Sequence, residues 1–324
     1  MEEVGSGRVD GILASPSAER RRHVEGIAAA ILAYAAWGFL APGGKLLLEY
    51  TGPWTLNFHR TWLSLAAFFL IYGPRANLRA LRILTQKADT WTLGTLLSGT
   101  FILYLMSIQL LEPTMAAVLL YFAPIFIAVA ATRFLGEPWD RWTIPTTLVT
   151  LAGVGVAVFE PFQGGRLAVG EGLGLLLGTM GVVFWAAYTL DLKRLSRVYS
   201  ERDLTIVAFV VSGLIFFVGA AFAEQLTFDL DARSALLLAA YVLFPSVASF
   251  MLYAVAVNRA GAGPTSVLIG VELVATALVS SVLTGERFSV EELAGLAIVL
   301  AAVTLFVWHQ GRIARAAARL SPLP

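Results

Sequence analysis

Glu272 interrupts an otherwise apolar stretch, GPTSVLIGVELVATALVSSVLTGE, which covers residues 263–286 and contains no Lys or Arg. An ionised carboxylate at the centre of a membrane helix costs about 2.5–3.5 kcal/mol to insert, so this residue needs an explanation. It could bind an ammonium group or a proton; the structural alternatives are a protonated acid bonded to a neighbouring helix and an ion pair with Arg60. At 100° per residue, the polar side chains on the same helix face are Thr265, Thr276 and Ser280.

The sequence NFHRTW at residues 57–62 places a second set of polar side chains inside an apolar run. Arg60 stays ionised, so it must pair with a carboxylate, reach the membrane surface or face water. His59 titrates near neutral pH and could relay a proton; a hydrogen-bonded structural histidine is the alternative. Both residues, like Glu272, are therefore candidates for gating or coupling.

Aromatic and amide side chains supply the remaining candidates for a binding site. Trp37 and Trp185 lie well inside apolar runs, where an indole N–H needs a partner or a water-filled cavity. Tyrosines can stack on a flat ring or face a cation, and amides offer donors and an acceptor to a charged group. The tyrosine and amide candidates are Tyr104, Tyr121, Tyr188, Tyr253, Gln109 and Asn258. For each of them, packing or bonding between helices is the alternative to substrate contact.

Residue content argues against several classes of function. The chain has no cysteine, and its three histidines, His23, His59 and His309, lie far apart, so neither a thiolate nucleophile nor a metal site is expected. No close pair of carboxylates lies within an apolar run, which leaves an intramembrane enzyme without a nucleophile and base. A net charge of +1 provides no basic field for nucleic acid. We therefore expect no catalytic residue, no cofactor and no metal.

Hydropathy sets the class of protein. The chain has 324 residues, 58% of them hydrophobic, and a mean hydropathy of +0.76, which is more than the core of a water-soluble domain needs. About 20 apolar residues cross a bilayer, and runs of that kind predict an all-α integral membrane protein with ten transmembrane helices. The runs lie near 25–43, 54–73, 91–111, 114–135, 142–160, 171–192, 204–224, 235–257, 264–284 and 291–309.

The distribution of basic residues predicts the orientation. With a cytoplasmic N-terminus, 18 Lys and Arg lie on the cytoplasmic side and 4 on the opposite side; Arg60 lies within a span, and these are all 23 basic residues. This bias places both termini in the cytoplasm. We expect a cytoplasmic N-terminal tail at 1–23, a linker on the opposite side at 161–170 and a cytoplasmic C-terminal tail at 310–324.

The two halves of the chain, 24–160 and 171–309, match each other at an offset of 149 or 148 residues. The matched pairs are Tyr104 with Tyr253, Gln109 with Asn258, Gly136-Glu137 with Gly285-Glu286, Trp37 with Trp185, and Lys45 with Lys193. Because each half holds five spans, the halves must enter the membrane in opposite senses. Such inverted repeats are typical of alternating-access transporters, with a central cavity between the halves.

Three prolines within the spans are candidate hinges. Pro42, Pro124 and Pro245 each remove a backbone hydrogen bond at a place where a moving helix could bend. Prolines also occur in static membrane helices, which is the alternative.

Several of these residues occur in a familiar order. Trp37-Gly38 and Lys45 in the first span, Arg60 in the second, and a Gly-Glu pair after the fourth and ninth resemble the EamA branch of the drug/metabolite transporter superfamily. The resemblance covers residues 25–309, and within the branch the chain is most similar to YddG-type aromatic amino acid exporters. It implies ten helices around a central cavity, export of small metabolites, no prosthetic group and a place in the bacterial inner membrane.

The sequence departs from that pattern in two places. The second half has Phe209 where an arginine would match Arg60, and Glu272 corresponds to Ala123 in the first half. The resemblance therefore gives Glu272 no role.

These observations predict a transporter that exports amino acids, including aromatic ones, by alternating access. Its expected partners are a small-molecule substrate and the lipid bilayer, and a monomer is one option that the sequence leaves open. Proton-coupled efflux of organic cations is the alternative transport function. A structural membrane protein without transport activity is a further alternative, although it does not predict an acid within a span.

Overall fold

The protein is described here from a computed structural model, which covers residues 16–110, 119–138, 141–157, 169–223, 226–227, 229–285 and 288–320. These residues form helices, turns and loops and contain no β-strand. The helices are α1 (Pro16–Trp37), α2 (Leu40–Leu47), α3 (Pro53–Gln86), α4 (Trp91–Leu110), α5 (Ala123–Leu135), α6 (Thr143–Ala157), α7 (Val169–Leu195), α8 (Glu201–Ala223), α9 (Ala232–Val242), α10 (Ser249–Ala260), α11 (Ala262–Val267), α12 (Gly270–Thr284) and α13 (Val290–Leu320).

Six helical segments among the described residues are long and apolar enough to cross a membrane. They are Arg20–Leu47, Gly172–Leu195, Glu201–Ala223, Ala232–Ala260, Ala262–Leu283 and Val290–Arg312. Two shorter apolar helices are Ala123–Leu135 and Thr143–Val156. The predicted class, an all-α integral membrane protein, is confirmed, whereas the number of ten crossings stays a prediction.

Two of the predicted hinge prolines follow helix interruptions. Pro42 cannot donate a hydrogen bond to the carbonyl of Gly38, and α1 gives way to α2 through a turn at Gly38 and Phe39. Pro124 lies in the first turn of α5, which follows a turn at residues 121–122. Each interruption frees backbone groups inside a segment that would otherwise be a continuous helix.

The third proline, Pro245, lies in a π-helical segment, Leu243–Ala248, that joins α9 to α10. A fourth interruption, at Leu268 and Ile269 between α11 and α12, involves no proline. There the amides of Val271 and Glu272 bond to carbonyls three residues earlier, at 3.0 Å and 2.9 Å, which marks a tight turn.

Helix α3 is longer than the predicted span at 54–73. Gly73 adopts φ 74° and ψ 170°, a backbone conformation that glycine alone adopts without strain, and Pro74 follows it. The chain kinks there and continues as a helix to Gln86, with Arg75, Arg79 and Arg82 exposed. The apolar run therefore ends at residue 73, but the helix does not: it continues with exposed basic residues.

The two predicted tails are also partly helical. Helix α1 begins at Pro16, before the predicted boundary at residue 23, and α13 continues to Leu320, past the boundary at residue 310. Residues 161–168 of the predicted linker lie outside the described residues, and α7 already begins at Val169.

Glycines allow the helices to approach closely. A Cβ at Gly26 in α1 would lie 2.6 Å from the backbone nitrogen of Ala260 in α10, and one at Gly38 would lie 2.7 Å from the carbonyl carbon of Ala275 in α12. The main helix pairs are α1 with α10, α4 with α7, α3 with α8 and α6 with α13. The core therefore forms along helix pairs held together by small residues.

Candidate functional site

Six aromatic side chains from three helices pack against one another inside the bundle. We call this set the aromatic cluster; its members are Tyr34, Trp37, Trp185, Tyr188, Phe250 and Tyr253. All six are buried. The cluster joins α1 and α7 to α10, so it includes both halves of the sequence.

Trp37 lies at the centre of the aromatic cluster. Its ring centre is 5.1 Å from that of Tyr253, 5.2 Å from that of Phe250 and 5.4 Å from that of Trp185. Its indole Nε1 donates a hydrogen bond of 2.9 Å to the carbonyl of Pro245 in the π-helical segment. The sequence left open a partner or a cavity for this N–H, and the structure supplies the partner.

The other predicted cavity residues of the aromatic cluster are packed in a similar way. Tyr188 stacks on Trp185 with ring centres 5.3 Å apart, and Trp185 lies 5.0 Å from Tyr253. The hydroxyls of Tyr253 and Thr189 are 2.7 Å apart and share a hydrogen bond. These rings fill the space between the helices in this conformation, so they close the bundle at this level.

Glu272 lies in the first turn of α12, directly after the interruption at residues 268–269. Its side chain is partly exposed, and the described residues give its carboxylate neither a hydrogen bond nor a basic partner. It is close enough to Tyr34, Tyr104 and Tyr121 to interact electrostatically with all three. Because the helix is interrupted, Thr265 belongs to α11, and the predicted polar stripe does not run continuously along one helix.

Arg60 is only 1% exposed and takes none of the three positions that the sequence allowed. Its guanidinium lies 3.8 Å from the ring centre of Phe101 and interacts with Tyr241, whose ring centre is 5.9 Å away. The described residues include no carboxylate paired with it, and its Nε has no hydrogen-bond partner among them. An ion pair between Arg60 and Glu272, the structural alternative for the acid, is therefore absent.

The remaining polar candidates are engaged elsewhere. His59 donates from Nδ1 to the carbonyl of Thr55 at 2.9 Å, in agreement with the structural reading of this histidine. Asn258 donates its side-chain amide to the carboxylate of Glu201, at the end of the bundle that is predicted to be cytoplasmic. The side chain of Gln109 lies outside the described residues.

The sequence analysis missed a contact between the halves that Glu137 makes. Its carboxylate accepts hydrogen bonds from the backbone N–H of Ala262 at 2.9 Å and of Gly263 at 3.1 Å, at the start of α11. Gly136 ends α5 in the left-handed conformation, at φ 67°, and turns the chain so that Glu137 reaches α11. The repeated Gly-Glu pair was the signal for this contact, which we call the Glu137 clamp.

Lys193 supports the Glu137 clamp from α7. Its Nζ donates to the carbonyls of Val257 at 2.9 Å and Asn258 at 3.0 Å, and lies 3.9 Å from a carboxylate oxygen of Glu137. Carbonyls at the end of α10 favour a cation. Lys45, its match in the first half, is exposed.

No three His, Asp or Glu side chains within the described ranges are close enough together to hold a metal ion. The site consists of an unpaired acid at a helix interruption, three tyrosines near it, and the aromatic cluster. The acid and its tyrosines can attract a cation, and the arrangement contains no nucleophile activated by a base among the described residues.

Helices interrupted inside the bundle around a lone acid are typical of a membrane transporter, in which irregular backbone is tolerated where it lines a substrate path. Comparison with known proteins agrees. The model of the EamA-like transporter family matches residues 24–159 and 172–308. The chain belongs to the EamA-like transporter family.

Two curated relatives are similar over much of the chain. An uncharacterized transporter of Haemophilus influenzae is 21% identical over 247 residues, which are 75% of this chain and 79% of that protein. The uncharacterized inner membrane transporter YhbE of Escherichia coli is 24% identical over 199 residues, which are 59% of this chain and 61% of that protein. The fold also matches a solved crystal structure with a TM-score of 0.74 at 17% identity, over 89% of this chain and 98% of the other.

Proposed function

We propose that the protein exports small metabolites, above all amino acids including aromatic ones, across the bacterial inner membrane by alternating access. The observation that carries the proposal is the meeting of interrupted helices around Glu272 and the aromatic cluster. Flat aromatic walls suit aromatic substrates, and a lone carboxylate suits an amine. The E. coli relative, which is named an inner membrane transporter, supports the location.

The helix pairing supports two inverted repeats, 24–160 and 171–309. By the repeat offset, α1 corresponds to α7 and α4 corresponds to α10, so the contact of α1 with α10 has a counterpart in the contact of α7 with α4, and both contacts occur. The other two contacts, α3 with α8 and α6 with α13, each join a helix to its own counterpart. This is the pairing expected when two five-helix units are related by an axis in the membrane plane.

The contacts at the predicted cytoplasmic end support a conformation that is closed on that side. Along α7, Trp185, Thr189 and Lys193 lie on successive turns, so the aromatic cluster and the Glu137 clamp are about 12 Å apart. The clamp lies between Glu272 and the predicted cytoplasmic end, because Glu137 contacts the start of α11, which precedes Glu272 in the chain. The aromatic cluster lies near the level of Glu272, since Gly38, next to Trp37, packs against Ala275 of α12. In the proposed cycle, the clamp must open for a substrate to enter from the cytoplasm.

Efflux of organic cations is the second candidate, and Glu272 is the observation that favours it. A carboxylate without a basic partner attracts a cation whether or not that cation also carries a carboxylate. The two candidate functions use the same acid. They differ in whether the substrate must also carry a carboxylate, as an amino acid does.

Counterflow into liposomes tests the proposal. Vesicles that contain the purified protein and unlabelled tryptophan should accumulate labelled tryptophan, and a panel of external amino acids and organic cations should compete. Protein-free vesicles and vesicles with Trp37→Ala protein are the controls. If no member of the panel drives exchange through correctly folded protein, the proposed function is wrong.

A further inference from the structure

We propose that Glu272 binds the ammonium group of the transported molecule and that a proton occupies the same carboxylate when the site is empty. This inference rests on the proposed function and narrows it to substrates that carry a protonated amine. It also gives a physical role to an acid that the first half of the sequence lacks.

The position of Glu272 in the fold carries the first step. The residue lies in the first turn of α12, directly after a tight turn in which the carbonyls of Leu268 and Ile269 accept the backbone N–H groups of Val271 and Glu272. Its side chain is partly exposed even though it lies in the middle of a span. A ligand that binds this carboxylate would displace no hydrogen-bond or ion-pair partner among the described residues.

The surroundings of Glu272 carry the second step, because the described residues around it include no cation that could take the place of a ligand. Helix α1 contributes Tyr34, α4 contributes Tyr104, and the turn before α5 contributes Tyr121. In α2 the only ionisable residue is Lys45, which is exposed. Helix α6, helix α11 and residues 293–308 of α13 contain no ionisable residue.

An ammonium group satisfies this environment. It donates charge-assisted hydrogen bonds to the carboxylate, and the nearby tyrosine rings provide a favourable electrostatic environment for its positive charge. When no amine is present, an ionised carboxylate within the membrane is costly, and a proton neutralises it. The carboxylate cannot hold a proton and an ammonium group together, so the two ligands compete.

The burial of Arg60 means that the site does not recognise the carboxylate of a substrate. A substrate carboxylate would need an accessible basic group, but the guanidinium of Arg60 is 1% exposed and covered by Phe101. Amino acids and simple amines with the same ring should therefore bind alike, whereas an acid with that ring should not bind.

Three probes that share an indole ring test this inference. Tryptophan carries an amine and a carboxylate, tryptamine only the amine, and indole-3-propionate only the carboxylate. Binding to purified protein is measured by ligand-induced thermal stabilisation and by competition with labelled tryptamine. Tryptophan and tryptamine should compete with each other, and indole-3-propionate should not compete with either.

Variants connect the result to the residue. Glu272→Gln keeps the shape but removes the charge and should weaken tryptamine binding on the order of tenfold or more. Glu272→Asp should keep part of the affinity. Glu49→Gln, which changes an exposed acid outside the site, is the matched control and should bind like the wild type. The melting temperature of each variant without ligand is measured first, and binding is compared only among variants that melt at the same temperature as the wild type.

The proton makes a second measurement possible. Raising the pH should strengthen tryptamine binding to the wild type, because the proton leaves the carboxylate while the amine stays charged. The affinity of Glu272→Gln should not show this pH dependence. In this cysteine-free chain, Glu272→Cys should react with a membrane-impermeant methanethiosulfonate, which shows access from water.

Each remaining outcome is decisive. If indole-3-propionate competes as well as tryptamine, or Glu272→Gln binds tryptamine like the wild type, the inference is wrong while tryptophan counterflow can still support the exporter. If none of the probes binds and no counterflow occurs, both the inference and the proposed function fail.

Discussion

Trp37 and Trp185, which occupy matched positions in the two halves of the sequence, meet edge to face with ring centres 5.4 Å apart. In the proposed arrangement of two inverted repeats, related residues touch only near the axis that relates the halves, and this contact would then lie on that axis. The two residues differ in their other contacts, since Trp37 bonds to Pro245 and Trp185 stacks on Tyr188. The contact therefore joins the halves without being symmetric.

The bond between Trp37 and Pro245 gives a first prediction. Trp37→Phe keeps a ring in the aromatic cluster but leaves the carbonyl of Pro245 without its donor, which should lower the free energy of unfolding by about 1–3 kcal/mol. Thermal unfolding in detergent measures the loss. Trp308→Phe, which shortens an exposed ring, is the control and should change little. Equal stability of the two variants would contradict the assigned role.

The Glu137 clamp gives a second prediction. Glu137→Gln leaves one oxygen for two backbone donors, so the contact between α5 and α11 should weaken and the predicted cytoplasmic side should open more often. A single cysteine at Thr189, in a chain without any other, reports the change in inside-out vesicles. Its reaction with an impermeant maleimide should accelerate by about tenfold or more.

The control for this measurement is Glu49→Gln in the same Thr189→Cys background, since Glu49 is exposed and outside the clamp. An unchanged labelling rate in Glu137→Gln would mean that the clamp does not hold this side closed.

Close packing at Gly38 gives a third prediction. A methyl group there would overlap Ala275 of α12, so Gly38→Ala should destabilise the protein by about 1–3 kcal/mol. Gly155→Ala is the matched control, because a Cβ at Gly155 in α6 meets nothing within 4 Å. It should be neutral or stabilise the helix by up to about 1 kcal/mol. Similar melting temperatures for both variants would show that α1 and α12 can separate without cost.

A fourth prediction concerns pH and an acid outside the membrane. Asp231 caps α9 by accepting from the hydroxyl of Ser234 at 2.6 Å and from its N–H at 2.7 Å. These hydrogen bonds hold the pKa of Asp231 below its ordinary value. A depressed folded-state pKa means that the stabilisation is complete above the unfolded pKa of about 4 and is lost as the pH falls through the folded value.

Wild-type protein should therefore be more stable than Asp231→Asn near neutral pH, and the difference should shrink in acid. Melting temperatures between about pH 3 and 7 measure it. Asp229→Asn, in the same loop, is the control. A difference that stays constant with pH would exclude a contribution from the charge.

The sequence predicted the aspects of this protein that depend on hydropathy and repetition. Apolar runs of bilayer length predicted the helices, and the offset of 148 residues predicted a relation between Trp37 and Trp185, although not their direct contact. Pro42 and Pro124 also pointed to real interruptions, because proline removes a backbone donor wherever it stands in a helix.

Other features could not be predicted because they depend on tertiary contacts. No proline stands at the interruption between α11 and α12, where Gly270 packs closely against Val299 and Val303 of α13. The cover of Arg60 by Phe101 depends on which faces of the consecutive helices α3 and α4 meet, and the sequence does not give these faces. The sequence left Asn258 as a candidate either for substrate contact or for bonding between helices, and its partner Glu201 is visible only in the structure.

The different environments of Lys45 and Lys193 have a further consequence. The matched lysines lie in two different settings, since Lys45 is exposed and Lys193 is held between a helix end and a carboxylate. Under the proposed alternating access between inverted repeats, the conformation of each half is a template for the other half in the opposite state of the molecule. If each half is given the conformation of the other half, the resulting structure represents the proposed opposite state. In that structure Lys45, rather than Lys193, is the buried lysine.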